Sequence, residues 1–146
     1  MYAAYAMINS MSKEKAKYFQ SKYEKLRGSR DKELFAEARR VFKAYQKRRR
    51  QPYVRSKYFK KQKVFLSMFW KHLNEKLPSD RKRRIPFLQC ALELLMKSTI
   101  EPETYIVDKV EYFRFYGKTK SGEIFAVQVM KDKKGNRYFM SCFPAK

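Results

Sequence analysis

The clearest pattern along the chain lies between Ser29 and Tyr45, where Leu34, Phe35, Ala38, Val41, Phe42 and Tyr45 recur at spacings of three and four. That spacing gathers them on one stripe of a helix and leaves a basic face opposite. Ser29 is the expected N-cap, and the helix is expected to run into Lys47–Arg50 and to stop near Pro52, before which the chain must be extended. An earlier stripe of Tyr18, Phe19, Tyr23 and Leu26 predicts a helix from Ser12 to Gly28. A third helix is predicted over Tyr58 to Glu75, with Phe59, Val64, Phe65, Met68, Phe69 and Leu73 inward and Trp70 and His72 at its margins. For the fourth, either Pro86 starts a helix carrying Phe87, Leu88, Ala91, Leu92, Leu94 and Leu95, or one helix from Ser79 is kinked there.

After Ile100 the period changes from helical to two. IEPETY reads as a connector, and runs at about Asp108 to Lys118, Glu123 to Lys131 and Arg137 to Phe143 are separated by the turn signals SG and KKGN. They predict a three-stranded antiparallel meander. Pairing Thr119 with Glu123 and Lys131 with Arg137 sets Phe113, Phe115, Phe125, Val127, Val129, Phe139 and Phe143 on the face that meets the helices. Tyr112, Arg114, Tyr116, Lys118, Ala126, Gln128, Met130, Tyr138 and Met140 are left on the other. The expected fold is α+β, with about four N-terminal helices packed on a C-terminal three-stranded β-meander. It forms one domain over 1–146: a flexible N-terminal extension at 1–11, a basic helical part at 12–100 and the meander at 104–146.

Charge sharpens this picture. There are 36 Lys and Arg against 14 Asp and Glu, a formal net charge of +22, on a chain that is 44% hydrophobic and so has ample core material. An excess of one sign repels itself in the compact state and implies a polyanionic partner: RNA first, DNA second, an acidic protein third. Four glycines leave no phosphate-binding glycine loop, and the carboxylates are too scattered to hold magnesium. Two cysteines and one histidine cannot assemble a four-ligand zinc site, so neither metal nor cofactor is expected. Cys90 and Cys142 read as buried free thiols, which suits a reducing compartment. No apolar run approaches the roughly 18 residues of a membrane span, and the uncharged start MYAAYAMINS lacks the basic region of a signal peptide. The expected location is cytoplasmic, with no membrane partner.

The chain offers two kinds of candidate site. From Lys47 to Lys61 eight of fifteen residues are Lys or Arg and none is acidic. The cations Lys47, Arg48, Arg49, Arg50, Arg55, Lys57, Lys60 and Lys61, with Tyr53 and Tyr58 among them, suit RNA, because cations neutralise phosphates and rings stack on exposed bases. Arg81, Lys82, Arg83 and Arg84 form a second basic cluster at a helix start, where a phosphate would offset their repulsion with the helix dipole. The other kind is catalytic. Cleaving RNA without a metal requires deprotonating a 2′-hydroxyl, protonating the leaving 5′-oxygen and stabilising the phosphorane. Arg114, Tyr116 and Lys118 alternate along one strand, Gln128 and Tyr138 face them, and His72 is the only histidine.

The run RFYGKTKSGEIFAVQVMKDKKGNRYFMSCFPAK, from Arg114 to Lys146, resembles the terminal sheet of the barnase, EndoU, colicin and RelE-like nuclease superfamily, in its phage-associated and toxin-type branches. The resemblance implies a metal-independent endoribonuclease that leaves a cyclic phosphate, often a toxin restrained by an antitoxin; the candidate partners are RNA, transfer or ribosomal RNA among them, and an acidic antitoxin or immunity protein. It also implies site positions at Arg114, Lys118, Thr119, Gln128, Tyr138 and Ser141, with His72 as the helix-borne histidine. Ser141 conflicts with the register above, which turns it toward the core. The rival expectation is a non-catalytic protein that binds RNA, DNA or the ribosome.

Overall fold

Between Gln51 and Leu66 the chain alternates in period two: Val54 and Ser56 are buried on one side of the run, Val64 and Leu66 on its return. That alternation forms a hairpin whose turn and return strand lie where a helix was expected. In the computed structural model, which describes residues 18–45 and 50–145, β2 (Tyr53–Ser56) pairs antiparallel with β3 (Gln62–Phe65), Val54 opposite Val64. The turn between them holds Lys60 and Lys61 at φ 56° and 65°. Of the predicted third helix only α2 (Ser67–Asn74) remains.

The predicted first helix is also overturned where it is described. Its residues run extended and include β1 (Phe19–Gln20), parallel to the distant β5 (Val110–Lys118). Backbone groups that a helix would have paired internally find tertiary partners: Ser21 N–H donates to Lys118 O, Lys120 N–H to Tyr23 O, and Leu26 N–H to Pro86 O. Buried Glu93 accepts both the Ser21 hydroxyl (2.5 Å) and the Lys22 N–H (3.2 Å). The predicted extension at 1–11 and the start of that helix lie outside the described residues.

The second helix forms as expected: α1 (Asp31–Tyr45) buries Leu34, Ala38, Val41 and Phe42. The kinked alternative describes the fourth. α3 (Pro78–Arg84) passes through a 3₁₀ turn at Ile85–Phe87 into α4 (Leu88–Lys97), whose apolar side is the centre of the core.

The expected three-stranded meander is part of a seven-stranded mixed sheet, curled as a half-barrel, whose strands are spread along the described chain. This corrects the fold expected from the sequence. The connector after Ile100 contributes β4 (Glu103–Val107), hairpinned onto β5 through Asp108 and Lys109, both at positive φ (51° and 68°). β6 (Ile124–Lys131) and β7 (Arg137–Pro144) complete the sheet, giving the order β1-β5-β6-β7-β3-β2, with β4 beside β1 on the outer edge of β5. β3 joins β7 in parallel at Val64↔Arg137 and Phe65↔Tyr138.

The helices pack on the face carrying Phe113, Phe115, Phe125, Val127, Val129 and Phe139. Phe69 stacks on Phe139 at 4.8 Å between centroids, and Phe87 on Phe125 at 5.8 Å. Gly117 makes room there, since a Cβ on it would lie 2.6 Å from the Phe125 ring. The β5–β6 register is the expected one, but β7 departs from it: Val129 pairs with Phe139, whereas Gln128 pairs with Ser141. Met140 is therefore an extra residue, a bulge that reverses the facing of the residues beyond it. Cys142 takes the core place opposite Val127, while Ser141 and Phe143 turn to the other face, contrary to the expected register.

Two outcomes are expected. The Asp108–Lys109 turn has the two positive-φ residues of a type I′ hairpin but a lysine where glycine fits without strain, so Lys109→Gly should stabilise by roughly 1 kcal/mol and raise the thermal midpoint by about 2–4 °C in circular-dichroism melts. Burial pushes the Cys90 thiol up to about 11 and the Cys142 thiol higher still. Both are free and buried, and neither should react with a thiol reagent at neutral pH until the protein is unfolded with guanidinium.

Candidate nucleic-acid interface

Alternation along β5 sends Arg114, Tyr116 and Lys118 away from the helices, and the neighbouring strands send their own polar residues to the same face. One cross-strand line reads Glu103↔Arg114↔Gln128↔Ser141, from β4 to β7. Arg114 donates from Nε and Nη2 to Gln128 Oε1 at 3.3 and 2.9 Å, and its guanidinium lies 5.4 Å from the Phe143 ring centre and 5.7 Å from that of Tyr105. A half-buried guanidinium held along rings and an amide is oriented before any ligand arrives.

A second guanidinium joins this line from a different part of the chain. Beyond Tyr138, β7 has no strand partner on its outer side among the described residues, and α3 lies along it. Arg84, at the end of α3, donates from Nη1 to Ser141 Oγ at 2.8 Å and sits 5.2 Å from the Phe143 ring centre. Asp80, one turn earlier, steadies it from 3.1 Å. Two cations therefore flank Ser141 and Phe143, the residues that the bulge turned to this face.

Tyr116 is the adjacent residue on β5. Its hydroxyl donates to Glu103 Oε2 at 3.3 Å, and Tyr18 meets its ring edge-on at 6.3 Å. Burial first, and the Glu103 carboxylate second, push the Tyr116 phenol up, so it stays protonated at neutral pH. Glu103 was missed in the sequence because it fell in the apparent connector. A glutamate and an arginine at period-two spacing from Tyr105 and Tyr116 were the available signal, readable only once β4 is seen to be a strand.

The other candidates divide clearly. Lys118 holds its ammonium 5.2 Å from the Tyr18 ring, further along the same face. Tyr138 is on this face with its hydroxyl donating to Asp132 at 3.2 Å, and Tyr53, Arg55 and Lys63 lie on it at the β2–β3 end, the two cations 5.5 and 4.7 Å from the Tyr53 ring. His72 is elsewhere: α2 packs on the helix side of the sheet through Phe69 and Phe139, and Nδ1 of His72 is 3.1 Å from Glu75. Tyr58 is also on that side, edge-on to Phe115. Thr119 is buried in the β5–β6 turn, its hydroxyl accepting from Glu123 N–H.

Among the basic clusters, Arg50, Lys57, Lys60 and Lys61 are exposed, and Lys47, Arg48 and Arg49 lie outside the described residues. Arg81 is used in the fold, donating to the carbonyls of Lys76 and Asn74, and Arg83 pairs with Asp80. A shallow cleft of about 640 Å³ beside Pro86 has Lys25, Arg27 and Ser29 as its polar lining, which offers cations but no acid–base pair. Among the described residues no helix is long and apolar enough to cross a membrane. No family model, curated protein or solved structure matches the chain.

The Arg84–Ser141 bond ties α3 to the far end of β7. Ser141→Ala removes the acceptor of a charged donor and should cost about 1–2 kcal/mol in a urea titration, with unchanged slope.

Proposed function

We propose that this protein binds RNA on the open face of its sheet and cleaves it by attack of a 2′-hydroxyl on the adjacent phosphorus. One observation carries the reading: the bulge at Met140 brings Ser141 into line with Gln128, Arg114 and Glu103, where Arg84 arrives from α3. The superfamily resemblance called for Ser141 on this face and the regular register denied it; the bulge removes that conflict.

The chemistry of these groups fits the reaction. Arg114 and Arg84 bind the scissile phosphate and stabilise the charge of the phosphorane, as fixed donors do when they are already oriented. Glu103 takes the proton of the 2′-hydroxyl as the new O2′–P bond forms. The P–O5′ bond breaks, and the leaving oxygen takes the phenolic proton of Tyr116. Glu103 then returns its proton to Tyr116 across their existing contact, which restores the site and leaves a 2′,3′-cyclic phosphate. Gln128 holds Arg114 in place, and Ser141 does the same for Arg84. Lys118 and the hairpin cations Lys57, Lys60 and Lys61 add attraction for the backbone, which weakens as salt rises.

Purified protein should cut transfer or ribosomal RNA in the presence of a chelator and leave cyclic-phosphate ends. Arg114→Ala and Glu103→Gln should each slow cleavage by about 10²–10⁴-fold while filter binding of the RNA changes only a few-fold. RNA left intact at stoichiometric wild-type protein, across several substrates, would make this a binding protein and refute the cleavage reading.

A further inference from the structure

The open face carries a second cross-strand line, one step from Arg114, that the cleavage chemistry does not use. It runs Tyr105↔Tyr112↔Met130↔Tyr138↔Phe65↔Tyr53 and takes one residue from each of β4, β5, β6, β7, β3 and β2. Five of the six are aromatic and Met130 supplies a polarisable thioether. At an interstrand spacing of ~4.8 Å the line spans roughly 24 Å, nearly the width of the sheet. Its rings form two groups with Met130 between them: Tyr105 stacks on Tyr112 at 5.3 Å with planes 14° apart, while Phe65 meets Tyr138 at 5.7 Å and Tyr53 meets Phe65 at 6.4 Å.

Every member is partly exposed, so none is a core residue that happens to be aromatic. Cations stand at both ends, Arg114 by Tyr105 and Lys63 and Arg55 by Tyr53. The line runs beside the Glu103–Arg114–Gln128–Ser141 line across the shared strands. A polyanion whose phosphates follow the polar line would carry its bases over the rings.

We infer that the substrate is single-stranded RNA laid across the strands, its backbone along the Arg114 line and its unpaired bases stacked on the aromatic line from Tyr105 to Tyr53. This rests on the reading that the open face binds RNA, and it adds the strandedness of the substrate and the path it takes. Duplex RNA does not fit the arrangement, because its bases are already stacked on one another and present no free faces to the rings. Recognition by ring faces tolerates every base, so the preference is for unpaired structure and not for one sequence.

The test is fluorescence anisotropy with a labelled mixed-sequence RNA of about ten nucleotides, alone and annealed to its complement, using the Glu103→Gln protein, which keeps every cation of the face while the probe is not consumed. Tyr112→Leu and Phe65→Leu keep apolar bulk but remove the ring face, and circular-dichroism melts confirm their folding. The single strand should bind at least ten-fold tighter than the duplex, and each leucine variant should weaken it roughly ten-fold while leaving duplex binding unchanged. Equal affinity for the two forms, or leucine variants that bind the single strand like the parent, overturns this inference alone. Absence of binding to either form by both wild-type and Glu103→Gln protein overturns the RNA reading on which it rests. A leucine variant that fails to fold is replaced by Tyr53→Leu at the sheet edge, judged by the same two affinities.

Discussion

One extra residue in β7 decides what this sheet can do. Strict alternation between Phe139 and Cys142, three positions apart, would send them to opposite faces, yet both are buried against the helices. Met140 absorbs the mismatch. The core thereby keeps a regular set of apolar contacts opposite Val129 and Val127, and the open face acquires Ser141 and Phe143. Arg84 can then be anchored by a hydroxyl and a ring instead of standing over a cysteine. The convergence of two guanidiniums on one face results from that single break in periodicity.

The two faces of the sheet divide the protein's work by polarity. On one, Phe69, Phe87, Phe113, Phe125 and Phe139 interlock with α2, the 3₁₀ turn and α4, and dispersion and hydrophobic burial hold the fold. On the other, rings remain partly exposed and are lined by guanidinium and ammonium groups, an arrangement that contributes little to a core. The high net charge and the high aromatic content are therefore not separate facts of composition. They meet on the same surface.

Much of the meander was legible in the sequence because its residues alternate cleanly: the β5–β6 pairing from Glu111↔Lys131 to Lys118↔Ile124 can be read from Phe113, Phe115, Phe125, Val127 and Val129 alone. α1 was legible for the matching reason, a stripe at helical spacing. The hairpins were hidden by their turns. Lys60–Lys61 and Asp108–Lys109 adopt left-handed backbone without the glycine or asparagine that marks such positions, so β3 read as helix, β4 as connector, and the extended chain at β2 had no visible partner. β1 was hidden because its spacing of Tyr18, Phe19, Tyr23 and Leu26 is helical, and only partners about a hundred residues away, at Gly117 and Lys118, hold it extended. The site was half legible: Arg114, Tyr116, Lys118, Gln128 and Tyr138 come from alternation. Ser141 depended on a bulge, Glu103 on an unseen strand and Arg84 on a tertiary approach, none of which local pattern encodes.

The place of β7 in this assembly bears on synthesis. Arg84 emerges from the ribosome well before Ser141, and β1 and β3 emerge long before Gly117 and Arg137, the residues that seat them. Contacts so distant along the chain form late and slowly. During translation the basic helices and the β2–β3 hairpin are thus made without a sheet to join, and the open face does not exist until its last strand is out. A nascent chain therefore carries its positive charge out of the ribosome before the face that sets that charge beside the exposed rings has formed.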